Sequence, residues 1–215
     1  QDNISKLISE IYNTNIKNYE IIIVDDASHD NTIKVLEKLK NKFDLRIIKL
    51  KKNLGQSHAL KIGIDKSKYN NIITIDGDCQ NDPNDIPKLI KLYNTSIELK
   101  LVGGIRKMRK DSIIKKLSSK FANKIRKYIL DDDCDDTGCS LKVFDKEIFL
   151  SFIFFDGIHR FLPALFKGYG YMTRFVNVNH RPREYGFSKY GTTKRLIKGI
   201  KDLYMVYKDL KKRNA

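Results

Sequence analysis

The chain has 215 residues, 41% of them apolar, with no Trp, four Pro and a formal net charge of +16, which suits one domain with its own core. No uninterrupted apolar run approaches the roughly 18 to 20 residues of a membrane span, and Gln1-Asp2-Asn3 has no signal-peptide pattern, so a cytoplasmic chain is expected unless it attaches at a surface. Cys79, Cys134 and Cys139 are odd in number and form no Cys-x-x-Cys pair, which argues against a disulfide framework or a zinc knuckle and predicts reduced, half-buried thiols.

Ile4, Leu7, Ile8 and Ile11 recur at helical spacing and open the chain with an amphipathic helix. Without an initiating Met, the piece is expected to lack an amino-terminal strand. Glu20 to Asp25 reads as a strand buried on both faces that ends in Asp25-Asp26-Ala27-Ser28. Asp30 or Ser28 is placed to cap the next helix, whose apolar stripe is Ile33, Leu36, Leu39 and Phe43. A second strand, Arg46 to Leu50, turns through Asn53-Leu54-Gly55-Gln56 into a helix with Leu60 and Ile64 inward.

Ile72 to Ile75 is a third, buried strand running into Asp76-Gly77-Asp78. If the backbone stays extended there, both carboxylates point to one spot while Gly77 admits a ligand to the backbone. Two anions about 5 Å apart repel by about 3 kcal/mol at an effective dielectric near 20. A divalent cation relieves this, and Mg²⁺ or Mn²⁺ favours such oxygen donors, with Gln80 adding a neutral one. Asp82-Pro83 breaks the strand, Ile86, Leu89, Ile90 and Tyr93 mark a helix, and Leu99 to Gly103 is a strand ending at Gly104-Ile105-Arg106.

Strands and helices alternating at this spacing specify a mostly parallel sheet covered by helices, with ligands beyond the carboxyl ends of the strands. Asp25, Asp26, Asp76, Asp78 and Arg106 all lie at such ends and are expected in one crevice. Neither a dinucleotide fingerprint nor a Walker loop follows any strand.

The positive charge is concentrated. Arg106 to Lys127 holds ten Lys and Arg against one acid, and Arg181 to Arg213 eleven against three. Such a basic face meets polyanions. Ile113, Ile114, Leu117, Phe121, Ile125, Tyr128 and Ile129 form an amphipathic helix that lies either on a membrane or on the protein's own sheet. Asp131 to Asp136 is an acid run leading to Thr137-Gly138-Cys139-Ser140 and a short strand through Phe144; Met172 to Val178 is a late strand, and His180 to Gly191 is basic and turn-rich. The last helix carries Leu196, Ile197, Ile200, Leu203, Tyr204, Tyr207 and Leu210 on one side and lysines on the other, a pattern suited to an anionic bilayer surface.

Val24-Asp25-Asp26-Ala27-Ser28-x-Asp30-x-Thr32, Asn53-x-Gly55-x-x-x-Ala59 and Asp76-Gly77-Asp78-Cys79-Gln80, in that order, resemble glycosyltransferase family 2 with its GT-A nucleotide-diphosphosugar fold. Asp136-x-Gly138 and Arg183-x-x-Gly186-x-Ser188-Lys189 resemble its polyprenyl- and dolichyl-phosphate branch. The resemblance implies a catalytic domain over 1–195 and a basic amphipathic helix over 196–215. It implies that Val24, Asp25, Asp26, Asp76, Gly77 and Asp78 hold the nucleotide sugar, with Asp25 or Asp26 on the base and Asp76 on the ribose or sugar. Asp78 and Gln80 would hold Mg²⁺ or Mn²⁺, Arg106 would bind acceptor or donor phosphate, and Asp136 would act as base or acceptor-positioning group. Arg183, Ser188 and Lys189 would close over the phosphates. The implied partners are a nucleoside-diphosphate sugar, a lipid phosphate and an anionic membrane surface, with sugar, base and oligomeric state left open. Two rivals are a family member using a soluble or polysaccharide acceptor, and a non-catalytic basic domain on nucleic acid. No recognised nucleic-acid motif supports the latter, and the acids stand where such a groove needs cations.

Overall fold

Alternating apolar strands and amphipathic helices build a layered α/β structure. The computed structural model describes residues 1–106, 123–183 and 192–213. Helix α1 (Ile4–Tyr12) buries Leu7 and Ile8, the face its spacing predicts. β1 (Ile21–Asp25) pairs in parallel with β2 (Leu45–Lys49), the two joined through α2 (Thr32–Lys40). The expected cap is corrected: Asn31 stands at the N-cap of α2 without a side-chain cap bond, and Asp30, the residue before it, accepts the Thr32 N–H at 3.0 Å. Then come α3 (Gln56–Asp65), β3 (Asn71–Thr74), α4 (Ile86–Tyr93) and β4 (Leu99–Arg106). Helical residues 123–130 are α5. β5 (Lys142–Asp145), α6 (Lys146–Ser151), α7 (Leu162–Gly168), β6 (Met172–Val178) and α8 (Thr192–Arg213) complete the order.

The four-stranded sheet runs β3-β5-β4-β6. β4 pairs in parallel with β6, and β5 runs antiparallel to both β3 and β4, so β5 alone opposes the common direction. β1 and β2 form a separate pair. Two helices bridge the parts. Ile8 of α1 packs with Leu36, Leu45, Ile21 and Ile23, whereas Ile11, one turn on, packs in the cluster that holds Ile73 and Ile75. Across the other face, α3 places Gly63 against Val24 of β1, where a Cβ would lie 3.0 Å from Val24 Cγ2, and sends Ile64 into the main core with Ile72, Leu101, Phe144 and Phe166. The carboxyl ends of β1 and β3 thereby open on the same rim.

Several expectations are corrected. β1 is half-buried along most of its length rather than buried on both faces, because β2 is its one strand partner among the described residues. β3 starts and ends one residue earlier than read, and β4 runs on to Arg106, which is the strand's last residue. All three cysteines are free and fully buried, not half-buried, and burial pushes the Cys134 thiol up to about 12.

The helices differ most in their register about their own axes. In α5 the inward residues are Arg126 and Leu130, while Ile125, Tyr128 and Ile129, expected on the apolar stripe, are 39%, 91% and 37% exposed. In α8, Asp202, Val206 and Leu210 are buried, whereas Ile200, Tyr204 and Tyr207 are 60%, 65% and 39% exposed. Polar anchors set this face: Arg160 donates to Asp202 Oδ2 at 2.6 Å and Tyr169 OH to Asp209 Oδ2 at 3.0 Å. Ile113, Ile114, Leu117 and Phe121, and the side chains of Leu196 and Ile197, lie outside the described residues and side chains.

Candidate active site

Ala27 adopts φ +57°, which turns the chain sharply after β1 so that the Ser28 N–H donates to Asp25 Oδ2 at 3.2 Å. Asp26 looks the other way. Its two carboxylate oxygens accept the N–H groups of Leu54 and Gly55 at 2.7 and 2.8 Å, and its carbonyl takes Asn53 Nδ2 at 3.2 Å. Of the two acids expected to meet the base, Asp26 is therefore committed to building the loop that starts α3. Gly55, at φ +88°, makes that entry in a conformation L side chains rarely adopt. Val24, expected among the nucleotide-binding residues, packs against α3 at Gly63.

The first turn of α3 then reaches in two directions. Gln56 Nε2 donates to Asp76 Oδ1 at 2.8 Å. Buried Ser57 accepts the Gly157 N–H at 2.8 Å and lies 2.7 Å from His159 Nδ1. Because Ser57 Oγ already accepts, its hydroxyl proton is free to go to Nδ1. Burial and the neighbouring Arg160 charge pull His159 down to about 3 and hold it neutral near pH 7.

Asp76 donates its N–H to Ser140 Oγ at 3.1 Å, and Asn81 Nδ2 donates to the same hydroxyl at 2.7 Å. Burial, then the charge of Asp78, raises the Asp76 carboxyl above its usual range. Residues 77 and 78 form a turn and Cys79 has φ +59°, which corrects the expectation of an extended Asp-Gly-Asp. The two acids meet through the turn instead of through strand alternation. Gly77 is exposed, with nothing within 4 Å of where a Cβ would stand.

Two arginines face these acids. Arg106 donates from Nε to Asp136 Oδ2 at 2.6 Å and from Nη2 to Oδ1 at 2.7 Å, a bidentate pair. Arg183 donates from Nη2 to Asp78 Oδ2 at 2.6 Å and to Gln80 Oε1 at 3.3 Å. Beneath them lies Lys142, 3% exposed, whose Nζ donates to the carbonyls of Thr137 and Cys139. Lys142 and Arg106 are the cations that pull Asp76 back down.

Direct contacts join Asp78 and Gln80 to Arg183 and Arg106 to Asp136, and the charges of Asp78 and Arg106 act on Asp76, next to Gly77. Asp26 connects to Asp76 through the turn that starts α3, and Asp25, 4% exposed, accepts the Ser28 N–H. Ser188 and Lys189 lie outside the described residues. Gln56, Ser140, Lys142 and the Ser57–His159 pair escaped sequence reasoning. Gln56 closed a motif read only as a turn, and Ser57 and His159 are 102 residues apart with no pattern to join them.

The donor set fits a hard divalent cation: the Asp78 carboxylate and the Gln80 amide oxygen already hold the Arg183 guanidinium as counter-charge, and the charge of Asp78 bears on the Asp76 carboxyl next to it. Among the described residues no group of three or more His, Cys, Asp or Glu is placed for a metal, so such a cation needs further oxygens from its ligand.

Residues 1–152 match glycosyl transferase family 2. The chain is 38% identical over 193 residues to the dodecaprenyl-phosphate galacturonate synthase of Rhizobium johnstonii (strain DSM 114642 / LMG 32736 / 3841), covering 87% of this chain and 56% of that protein. It is 31% identical over 177 residues to the undecaprenyl-phosphate 4-deoxy-4-formamido-L-arabinose transferase of Shewanella sediminis (strain HAW-EB3), covering 81% and 53%. The chain spans about half the length of these curated relatives. Among solved structures, glucosyl-3-phosphoglycerate synthase from Mycobacterium tuberculosis in complex with Mn²⁺, uridine-diphosphate-glucose and phosphoglyceric acid superposes with a TM-score of 0.68 at 15% identity, covering 97% of this chain and 74% of that one. That likeness shows the GT-A fold.

Proposed function

The chain belongs to glycosyl transferase family 2, and from that premise we propose that it is the catalytic part of an inverting transferase moving a sugar from a nucleoside diphosphate to a polyprenyl phosphate at the cytoplasmic membrane face. The observation that carries this is the acidic turn after β3 and its cations: Gln56 on Asp76, Arg183 on Asp78, and the Asp136-bound Arg106 whose charge acts on Asp76. The two curated relatives, both named for polyprenyl-phosphate acceptors, support the acceptor class.

In this reading the acceptor phosphate oxygen attacks the anomeric carbon in line, and the nucleoside diphosphate leaves with inversion. Asp25 orients the base and Asp76 the ribose or sugar. Arg106, held flat by Asp136, presents N–H donors to phosphate, and Arg183, with Ser188 and Lys189 from the same segment, covers the leaving diphosphate. Much of the rate then comes from alignment and fixed positive charge. Mg²⁺ or Mn²⁺ held by Asp78 and Gln80 would neutralise that diphosphate as a Lewis acid. A phosphate monoester is mostly dianionic at pH 7, so the acceptor needs little help from a base.

The test is a thermal-shift series of nucleoside diphosphates and their sugars with Mn²⁺ or Mg²⁺. At a hundred times its dissociation constant the right donor stabilises the protein by about 2.7 kcal/mol. A series in which no nucleotide shifts the unfolding midpoint sinks the reading.

No described helix is long and apolar enough to cross a membrane, and the outward stripe Ile200, Tyr204, Tyr207 on α8 is flanked by exposed Lys201, Lys208 and Lys211. This supports a helix lying in an anionic interface. Ile200→Ser with Tyr204→Ser is expected to weaken co-sedimentation with anionic vesicles about thirtyfold, since each loses on the order of 1 kcal/mol of apolar burial, while leaving the unfolding midpoint in place. Unchanged co-sedimentation would move the acceptor toward a soluble molecule.

A further inference from the structure

Arg183 is delivered to the acids by backbone pairing. His180 bridges Asn81, the Arg181 N–H donates to the Gln80 carbonyl at 2.8 Å, and the Arg181 guanidinium is clamped by Glu10 and Asp82 at 2.6 and 2.7 Å. The segment carrying Arg183 is thus fastened along the loop that carries Asp78 and Gln80. Its guanidinium contacts the two oxygens, Asp78 Oδ2 and Gln80 Oε1, that a divalent cation would use.

We propose that Arg183 gates the cation site, excluding a free divalent ion and admitting one that arrives with a diphosphate. The inference rests on the reading that Asp78 and Gln80 hold the cation. With no group of three or more His, Cys, Asp or Glu placed for a metal among the described residues, a bare ion has to displace the charge-assisted hydrogen bond on Asp78 and gains few ligands in return. A diphosphate changes both sides of that exchange. It brings oxygens to complete the ion's shell, and it gives the released guanidinium a new anionic partner, since phosphate oxygens accept its planar fork as well as a carboxylate does. The same arginine would then hold the ion's site closed at rest and grip the leaving group in the loaded site, so donor and cation enter together.

The experiment is Mn²⁺ binding, read from the free-ion electron paramagnetic resonance signal, on the wild-type chain and on Arg183→Gln, each with and without saturating UDP or GDP. Without nucleotide, Arg183→Gln should bind Mn²⁺ about tenfold more tightly than wild type. With nucleotide the order should reverse, because the variant lacks the diphosphate contact. Removal of a nearby positive charge alone would tighten Mn²⁺ binding under both conditions, so tightening without reversal overturns the gate, as do equal affinities without nucleotide. If neither protein binds Mn²⁺ even with UDP or GDP, the cation assignment fails and the gate with it. The Arg183 side chain is partly exposed, and equal unfolding midpoints show that the variant is folded.

Discussion

Arg126→Met is expected to cost about 3–5 kcal/mol of stability, the penalty for leaving a buried charge without its partner. All five guanidinium donors of Arg126 are used: Nε and Nη2 on Asp132 at 2.7 and 3.0 Å, Nη1 on Asn123 Oδ1 at 2.6 Å and Thr137 Oγ1 at 2.9 Å, and Nη2 again on the Cys134 carbonyl. The side chain of Asp132 is 0% exposed, so removing the arginine strands a carboxylate with no water to replace it. Against a typical total of about 5–15 kcal/mol this is a large fraction, and urea denaturation should show the midpoint falling steeply. Arg126→Met with Asp132→Leu should recover part of the loss, because the buried carboxylate goes with its partner, while the Cys134 carbonyl and N–H lose the partners they had in the pair. Lys127→Ala, which breaks the exposed contact with Asp135 at 2.7 Å, should change stability by less than about 1 kcal/mol. A loss below about 1 kcal/mol for Arg126→Met would show that the pair is not structural.

That pair also shows where reading a sequence stops. Asp131 to Asp136 looks like one run of acid, but in the fold it alternates: Asp131, Asp133 and Asp135 face solvent, while Asp132, Cys134 and Asp136 are buried. The alternation is a tertiary fact, fixed by arginines from elsewhere in the chain, and no local pattern announces it. Periodicity served well where one apolar face has a single destination, as in α1 with Leu7 and Ile8. It failed in α8, where apolar residues are numerous enough to make two stripes, and the choice fell to Asp202 and Asp209 meeting Arg160 and Tyr169. The rim was legible because acids at strand ends are local features of the chain. The partners of those acids were not, since Gln56 reaches Asp76 across 20 residues and Arg183 reaches Asp78 across 105.

Asp136→Asn is expected to lower transfer to a lipid phosphate by about a hundred- to a thousandfold in kcat/KM, the range seen when a preorganised donor is lost from a site that stabilises developing charge. The reason lies in the pairing. Asp136 is 5% exposed, and both its oxygens are occupied by Arg106 at 2.6 and 2.7 Å. An amide there turns one acceptor into an N–H₂ facing guanidinium N–H groups, so the fork loses half its hold and Arg106 swings from the phosphate it would serve. Gly138 packs beneath that guanidinium, where a Cβ would lie 3.1 Å from Arg106 Nη2, which limits where Arg106 can move. A positioning role and a base role separate in the pH profile. If Asp136 only orients Arg106, the variant loses rate by a constant factor and keeps the limb set by the acceptor's own second ionisation near pH 6. If instead the acceptor is a hydroxyl and Asp136 takes its proton, the wild type shows an acidic limb of its own in place of the acceptor's, that limb vanishes in the variant, and the residual rate drops much further. Arg106→Lys should mimic the first pattern, since an ammonium cannot present two parallel donors. Unchanged kcat/KM in Asp136→Asn would remove the Arg106–Asp136 pair from the reaction altogether and leave the phosphates to Arg183 and its neighbours.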